Sequence, residues 1–290
     1  GIRSTFYRIA SLFGSGVLIT LAGILQTLMK GSIRYSWSLI FYGVAGIFLA
    51  FVLWHSKALP KPNSDKGLTG NIVFSDVLNE LWTTIKSFFT KMPVKEVVIA
   101  TCFMLLYRMP EGLLAKISPL FLIEPQSAGG LGLSPQEIGL VHGTVGVIGL
   151  TLGGILGGVL VSRDGLKKWL WPMVCAITIP DAVYIYLSIA LPDNLLIINA
   201  CIATEQFGYG FGFTAYMMYL IYYSRGEHKT SHYALCTAFM ALSMMIPGLF
   251  SGWLQENVGY PTFFTIVMTL CVITFIVSAL VKIDDNFGRK

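Results

Sequence analysis

An all-α integral membrane protein is the fold class this sequence predicts, and three observations carry that prediction. The chain is 54% hydrophobic and 12% charged, against roughly 25% charged residues in an average soluble protein. So few charges cannot cover a soluble 290-residue surface, so much of the exterior must face lipid. Apolar runs also recur at the roughly 20-residue length a helix needs to cross a bilayer. Runs such as TIVMTLCVITFIVSALV (265–281) do not alternate as the strands of a closed barrel must, so the spans are helices.

Taken in order, the apolar runs predict eight spans, at 9–29, 36–54, 95–123, 135–161, 168–191, 194–221, 231–254 and 260–281. The long polar interruption is 55–94. Its first part, PKPNSDKGLTGN, is turn-rich and lysine-bearing, as a linker should be. In its second part Phe74, Val77, Leu78, Leu81, Ile85 and Phe88 recur at helical spacing. That pattern predicts an amphipathic helix lying on the inner membrane surface or packed on other elements there. AGILQ (22–26) closes the first span and SGWLQ (251–255) the seventh, each followed by a short loop and an aromatic-rich entry. The first two spans then correspond to the last two of a six-span half, which predicts four further helices ahead of them. The expected organisation is the last two helices of an N-terminal six-helix bundle (1–54), a central loop (55–94) and a C-terminal six-helix bundle (95–290).

Lys and Arg set the orientation. With the N-terminus inside, 16 of the 20 basic residues fall on the inner side. Lys30 and Arg34 fall outside, and Arg108 and Lys116 lie within a span. Positive charge is retained on the cytoplasmic side, so both termini are expected there. The net charge of +5 is accounted for by topology, and no nucleic-acid partner is called for. The five cysteines fall in five different spans without CxxC spacing, which predicts packing residues and neither a metal site nor disulfides.

Between the fourth and fifth spans the loop reads GVLVSRDGLKKW. It resembles the loop signature of the major facilitator superfamily, G-x-x-x-[DN]-[RK]-x-G-x-[RK]-[RK], at Gly158, Arg163, Gly165, Lys167 and Lys168, with Ser162 where the acid usually stands. Within that superfamily the chain is similar to AmpG-type muropeptide permeases over most of its length. FYRIASLFGSGVLITLAG resembles their fifth helix, LLYRMPEGLLAKISPLFLIE their seventh and ATEQFGYGFGFTAYMMYL their tenth. The resemblance implies the superfamily fold, with eight transmembrane helices of an expected twelve. Pro110, between Arg108 and Glu111, departs from the family pattern.

Charge inside a membrane is costly, about 2.5–3.5 kcal/mol per residue on insertion scales, so each intramembrane charge is a candidate for function. Arg108 and Glu111 stand three apart and are expected either to pair structurally or to line a moving cavity, beside a kink at Pro110. Glu205 lies near mid-membrane with no basic residue within a turn, which marks it for proton coupling. Arg108 and Glu205 are expected to meet at the substrate level. Lys116 either extends to the outer face or meets an anionic substrate. His142 is either a proton site or a hydrogen-bonded core histidine, and Tyr209 heads an aromatic set suited to sugar rings. Asp181 after Pro180 is assigned to packing, and Gly146, Gly149, Gly153 and Gly157 to close helix approach.

The function the resemblance implies is secondary transport by alternating access. The expected cargo is a cell-wall-derived sugar-peptide or related amino-sugar solute, imported across a bacterial inner membrane on a proton gradient. No cofactor or metal is expected, the partners are a small solute and the bilayer, and the full-length protein is expected to be monomeric. The competing classes are a membrane-embedded acyltransferase-type enzyme, a carrier of another anionic solute such as acetyl-CoA, and a non-transporting receptor. The enzyme would need a His beside an acid or nucleophile at one depth, and His142 has none nearby in sequence.

Overall fold

A computed structural model describes residues 10, 18–29, 32–60 and 74–289, and among these every regular element is helical. Arg3, Arg8, Lys30, Lys61, Lys66 and Lys290 lie outside the described residues, as do eight of the 21 residues of the first predicted span and nearly all of PKPNSDKGLTGN. The chain divides into two compact units, Gly1–Val77 and Leu78–Lys290. In the first, α1 (Ile19–Leu28) precedes α2 (Ile33–Ala58). The 26 residues of α2 reach about 39 Å, more than a hydrocarbon core of roughly 30 Å. Phe41, Phe48, Leu53 and Trp54 are exposed along it, as lipid-facing or partner-facing side chains would be. Ser36 is buried and turns its hydroxyl back onto the Ser32 carbonyl, 2.7 Å away.

After α3 (Phe74–Thr90), the second unit runs through α4 (Val94–Leu106), α5 (Met109–Ile123) and α6 (Pro135–Ile138). A π-helical stretch, Gly139–Gly146, leads into α7 (Val147–Asp164). Then come α8 (Leu166–Thr178), a 3-10 turn at Ile179–Asp181, α9 (Ala182–Ala190), α10 (Leu195–Tyr223) and α11 (Lys229–Leu280). By length and composition, Val94–Ile123, Gly139–Asp164, Leu166–Ala190 and Lys229–Leu280 can each cross a bilayer. At 52 residues α11 would be about 78 Å long if straight. It is broken at Gly259, whose φ of 73° and ψ of 167° are non-helical, into the two spans the sequence predicts.

Two spans are interrupted near their middles, each beside a proline. Tyr107 and Arg108 separate α4 from α5, whose first turn contains Pro110; Ile179–Asp181, with Pro180, separates α8 from α9. Proline removes a backbone donor and crowds the carbonyl four residues earlier. Neighbouring helices hold the first break in place. The Thr274 hydroxyl donates to the Tyr107 carbonyl (3.0 Å), Tyr107 Oη donates to the Gly212 carbonyl (3.1 Å), and Tyr216 Oη donates to the Met104 carbonyl (2.5 Å).

Glycine lets α10 thread between α7 and α8. A Cβ at Gly149 would sit 2.8 Å from the Ala203 carbonyl oxygen, and one at Gly210 would fall on the Leu150 carbonyl. On the other side a Cβ at Gly208 would meet the Ala176 carbonyl and, at 3.0 Å, Pro180 Cγ. The glycines of α10 are therefore close-approach positions on two faces, and the α7 series packs as its spacing predicts.

The amphipathic helix α3 divides along its length. Phe88 is fully buried against Tyr223, His232 and Phe239, while Leu78, Leu81, Trp82 and Phe89 are exposed. Just after it, Lys91 donates to the Tyr223 carbonyl and lies 4.0 Å above the Tyr223 ring. The expected packing on other elements holds for the C-terminal turns, while Leu78, Leu81 and Trp82 are exposed.

The α10 packing predicts a clear asymmetry between glycines. Gly210→Ala should lower the melting midpoint in detergent by several degrees, from roughly 1–3 kcal/mol of overpacking at about 2–4 °C per kcal/mol. Gly252→Ala, where a new Cβ meets nothing within 4 Å, should leave it unchanged. Equal midpoints for the two variants would contradict this packing.

Candidate functional site

The two helix breaks and the middle of α10 bring three carboxylates together. Glu111 comes from the first turn of α5, Asp181 from the 3-10 turn and Glu205 from α10, and oxygens of all three lie within 4.8 Å of one another. They are only 8%, 4% and 2% exposed. No apolar environment accepts three such groups without cost, and Asp181 lies in the field of both others and Glu205 in that of Glu111.

Their hydrogen bonds are unequal. Glu205 is the best supported, accepting from Gln206 Nε2 (2.9 Å to Oε2) and from Tyr184 Oη (3.4 Å). Asp181 Oδ2 has the Cys271 thiol at 3.8 Å, so one of the five predicted packing cysteines has a polar neighbour. Glu111 Oε2 is buried with no hydrogen-bond partner. Beside Glu111 and Asp181 lies a small cavity of about 10 Å³, also lined by Tyr107, Thr178, Cys271 and Thr274. Two apolar clusters flank this polar seam. Tyr107 and Ile177 belong to one, Leu113 and Tyr184 to the other.

Arg108 does not form the expected ion pair with Glu111 among the described residues. The i, i+3 argument assumes a continuous helix, whereas Arg108 sits in the break with φ −105° and ψ 8°. It donates instead to Tyr209 Oη, and its guanidinium lies 4.5 Å from the Phe213 ring centre, 5.5 Å from that of Tyr209 and 5.9 Å from that of Tyr216. Such stacking suits the planar, weakly hydrated guanidinium. Its Nε is buried without a partner. Arg108 still acts on Glu111 electrostatically. The carboxyl group that meets Glu205 is thus Glu111, joined by Asp181, and not the Arg108 guanidinium.

The other candidates stand apart from this cluster. Lys116 is exposed, with its stem along Gly248. His142 lies in the π-helical stretch with Nε2 buried and unpartnered, and it is not one of the clustered ligand groups. Asp181 is the functional candidate that sequence reasoning missed. The available signal was an acid directly after a proline in the middle of an apolar run, the same pairing of break and charge as Pro110 and Glu111.

In the loop motif Gly165 has φ 90°, a left-handed turn that favours glycine. Ser162 leaves the usual acid position without a carboxylate, and Asp164 supplies one. It accepts from Trp169 Nε1 at 3.0 Å and lies 3.3 Å from Lys168 Nζ and 3.9 Å from Arg163 Nε. Lys167 pairs with Asp285, and the Leu166 amide donates to the Phe287 carbonyl (2.8 Å). The loop cations therefore meet carboxylates, Arg163 and Lys168 at Asp164 and Lys167 at Asp285 in the tail.

Comparison with known proteins agrees with this architecture. The sequence pattern of the Major Facilitator Superfamily matches residues 112–290. An uncharacterized protein of Haemophilus influenzae is 23% identical over 277 residues, covering 93% of this chain and 60% of its own length. Putative transporter AmpG 1 of Rickettsia prowazekii is 24% identical over 190 residues, 66% of this chain and 41% of that protein. The anhydromuropeptide permease of Escherichia coli is 25% identical over 189 residues, 63% of this chain and 37% of that protein. The chain thus spans about two-fifths to three-fifths of the length of these relatives.

Mutual repulsion among the three carboxylates gives a stability prediction. Asp181→Asn removes one of the like charges and keeps the shape. In sodium-free choline buffer it should raise the melting midpoint by about 2–4 °C, the equivalent of roughly 1 kcal/mol. An unchanged or lowered midpoint would show that repulsion is not what dominates the cluster.

Proposed function

Because the chain belongs to the major facilitator superfamily, we propose that it acts in a secondary active transporter importing cell-wall-derived sugar-peptides, or a related amino-sugar solute. The route is alternating access across a bacterial inner membrane, driven by an inward cation gradient, with the proton as the ion the sequence leads one to expect. The observation that carries this reading is Arg108, a buried cation walled by Tyr209, Phe213 and Tyr216 with one donor still unpartnered. A guanidinium recognises a carboxylate, and aromatic walls pack on the apolar faces of sugar rings. A sugar-peptide carries both features. The name of the Escherichia coli relative supports the same cargo class, and that of the Rickettsia relative supports transport.

Energy coupling is assigned to Glu205. Its carboxylate faces Glu111 and Asp181, and Glu111 lies on the first turn of α5, three residues from Arg108. One helix break therefore carries both a solute-binding cation and a member of the carboxylate cluster, which links the two sites mechanically. The test is uptake of radiolabelled anhydromuropeptide by the full-length protein in proteoliposomes. Glu205→Gln should retain solute exchange while gradient-driven accumulation falls to the equilibrium ratio. A variant that accumulates as well as the parent would remove Glu205 from the coupling step.

The proposed topology places the 55–94 segment and the Arg163–Lys168 loop in the cytoplasm and Arg34 outside. In a cysteine-free background in sealed cells, Lys57→Cys and Lys168→Cys should react only with a membrane-permeant reagent, and Arg34→Cys with an impermeant one as well. Labelling of position 57 by the impermeant reagent overturns the orientation.

A further inference from the structure

We propose that Glu111, Asp181 and Glu205 form a binding site for a sodium-sized monovalent metal cation at the two helix breaks. Three oxygens within 4.8 Å of one another share a point within about 2.8 Å of each, close to the roughly 2.3–2.6 Å at which a large hard cation meets oxygen. Mutual proximity alone would describe any acidic cluster. The second observation is Glu111, more than nine-tenths buried, whose Oε2 has no partner and which lines the cavity shared with Asp181.

Pro110 and Ile177 make part of the cavity wall apolar, and the hydroxyls that line the rest have their protons engaged elsewhere. The Thr178 hydroxyl gives its proton to the Val174 carbonyl (2.8 Å), and the Thr274 hydroxyl gives its own to the Tyr107 carbonyl (3.0 Å). Both keep their lone pairs, and Tyr107 spends its proton on Gly212. The Cys271 thiol remains as a weak donor at 3.8 Å from Asp181. Oxygens without protons to offer describe a place for a hard cation. The site also sits where α4 gives way to α5 and α8 to α9, and interrupted membrane helices are a general setting for bound ions.

Size and charge choose the ion class. A volume of about 10 Å³ holds about one water-sized particle, which leaves no room for the waters that Mg²⁺ retains. Ca²⁺ takes 6–8 oxygens, whereas Glu205 already accepts from Gln206 and Tyr184 and the remaining wall offers few. Glu111 has no hydrogen bond to Oε2 but lies in the field of Arg108, and two donors support Glu205, so Asp181, beside only a weakly donating thiol, is the charge with neither a cation nor a strong donor. A single positive charge answers it. The charged and titratable groups facing the site are Arg108, Glu111, Asp181, Glu205, Tyr107, Tyr184 and Cys271. The inference rests on the carrier reading only for the use of the ion in coupling; binding stands on the geometry.

The experiment measures binding without transport. This chain in detergent or nanodiscs is melted in NaCl, LiCl, KCl, CaCl2 or choline chloride at matched ionic strength and fixed pH. Sodium should raise the midpoint by about 2–4 °C over choline at saturation, and ²²Na⁺ should bind with a stoichiometry of about one. Glu111→Gln and Asp181→Asn should each lose the sodium response whatever their starting midpoints, while Glu256→Gln, exposed on α11, should keep it. If one variant fails to fold, the other and ²²Na⁺ binding to the parent chain decide. A midpoint that follows pH but not sodium overturns the metal site and leaves a proton-coupled carrier standing. A response to Ca²⁺ alone overturns the monovalent assignment. Sodium binding together with intact gradient-driven accumulation by Glu205→Gln would keep this site and remove the coupling reading.

Discussion

A carboxylate placed in hydrocarbon has no water to solvate it, and that constraint organises this bundle. Every buried charge in the second unit comes from a helix break or from the helix packed against it. Arg108 and Glu111 flank the interruption between α4 and α5, Asp181 ends the 3-10 turn after α8, and Glu205 faces both from α10. A continuous membrane helix satisfies its own backbone groups. A broken one leaves carbonyls and donors that must be answered by neighbours. Here Thr274, Tyr107 and Tyr216 answer them, and the same rearrangement turns charged side chains inward, away from lipid.

Position along α10 matters as much as the breaks. Glu205 reaches Glu111 and Asp181, and Tyr209 reaches Arg108, only because α10 lies almost in backbone contact with α7 and α8. Gly149 and Gly210 set the first distance and Gly208 the second, the latter directly at Pro180. One set of glycines therefore fixes the depth at which a carboxylate and an aromatic box face their partners. Four residues separate Glu205 from Tyr209, about one helical turn, so the acidic seam and the Arg108 box are neighbouring levels of one element.

Much of this was legible in the residues. Spans show in long apolar runs because lipid admits few charges, and the break in the 52-residue α11 shows in Gly259 and Pro261. The glycine series of α7 shows in its spacing. What did not show was which side chains converge. Arg108 and Glu111 look like an ion pair on a helical wheel, and only the broken backbone at 107–108 parts them. Asp181 read as a packing residue because neighbourhood in space depends on helix order and rotation, neither of which a single span records. Tyr209 was legible as an aromatic of interest, but its guanidinium partner sits 101 residues away. Asp164, two residues beyond the vacant acid position of the loop motif, was readable only once Lys168 and Trp169 were seen to fold back on it.

Sharing one break has a thermodynamic consequence for the proposed carrier. Arg108 and Glu111 cannot be repositioned independently, since three residues of backbone join them and Pro110 stiffens that link. A solute that draws Arg108 out of its aromatic box changes the field at Glu111, and a cation held by Glu111 changes the field at Arg108. Coupling between two binding events is reciprocal, so the same free energy that lets the cation favour solute binding lets the solute favour cation binding. The three carboxylates raise that coupling because their charges are hidden from solvent screening. An exposed acid at the same sequence spacing would exchange little energy with Arg108; a buried one exchanges more, because solvent does not screen the pair.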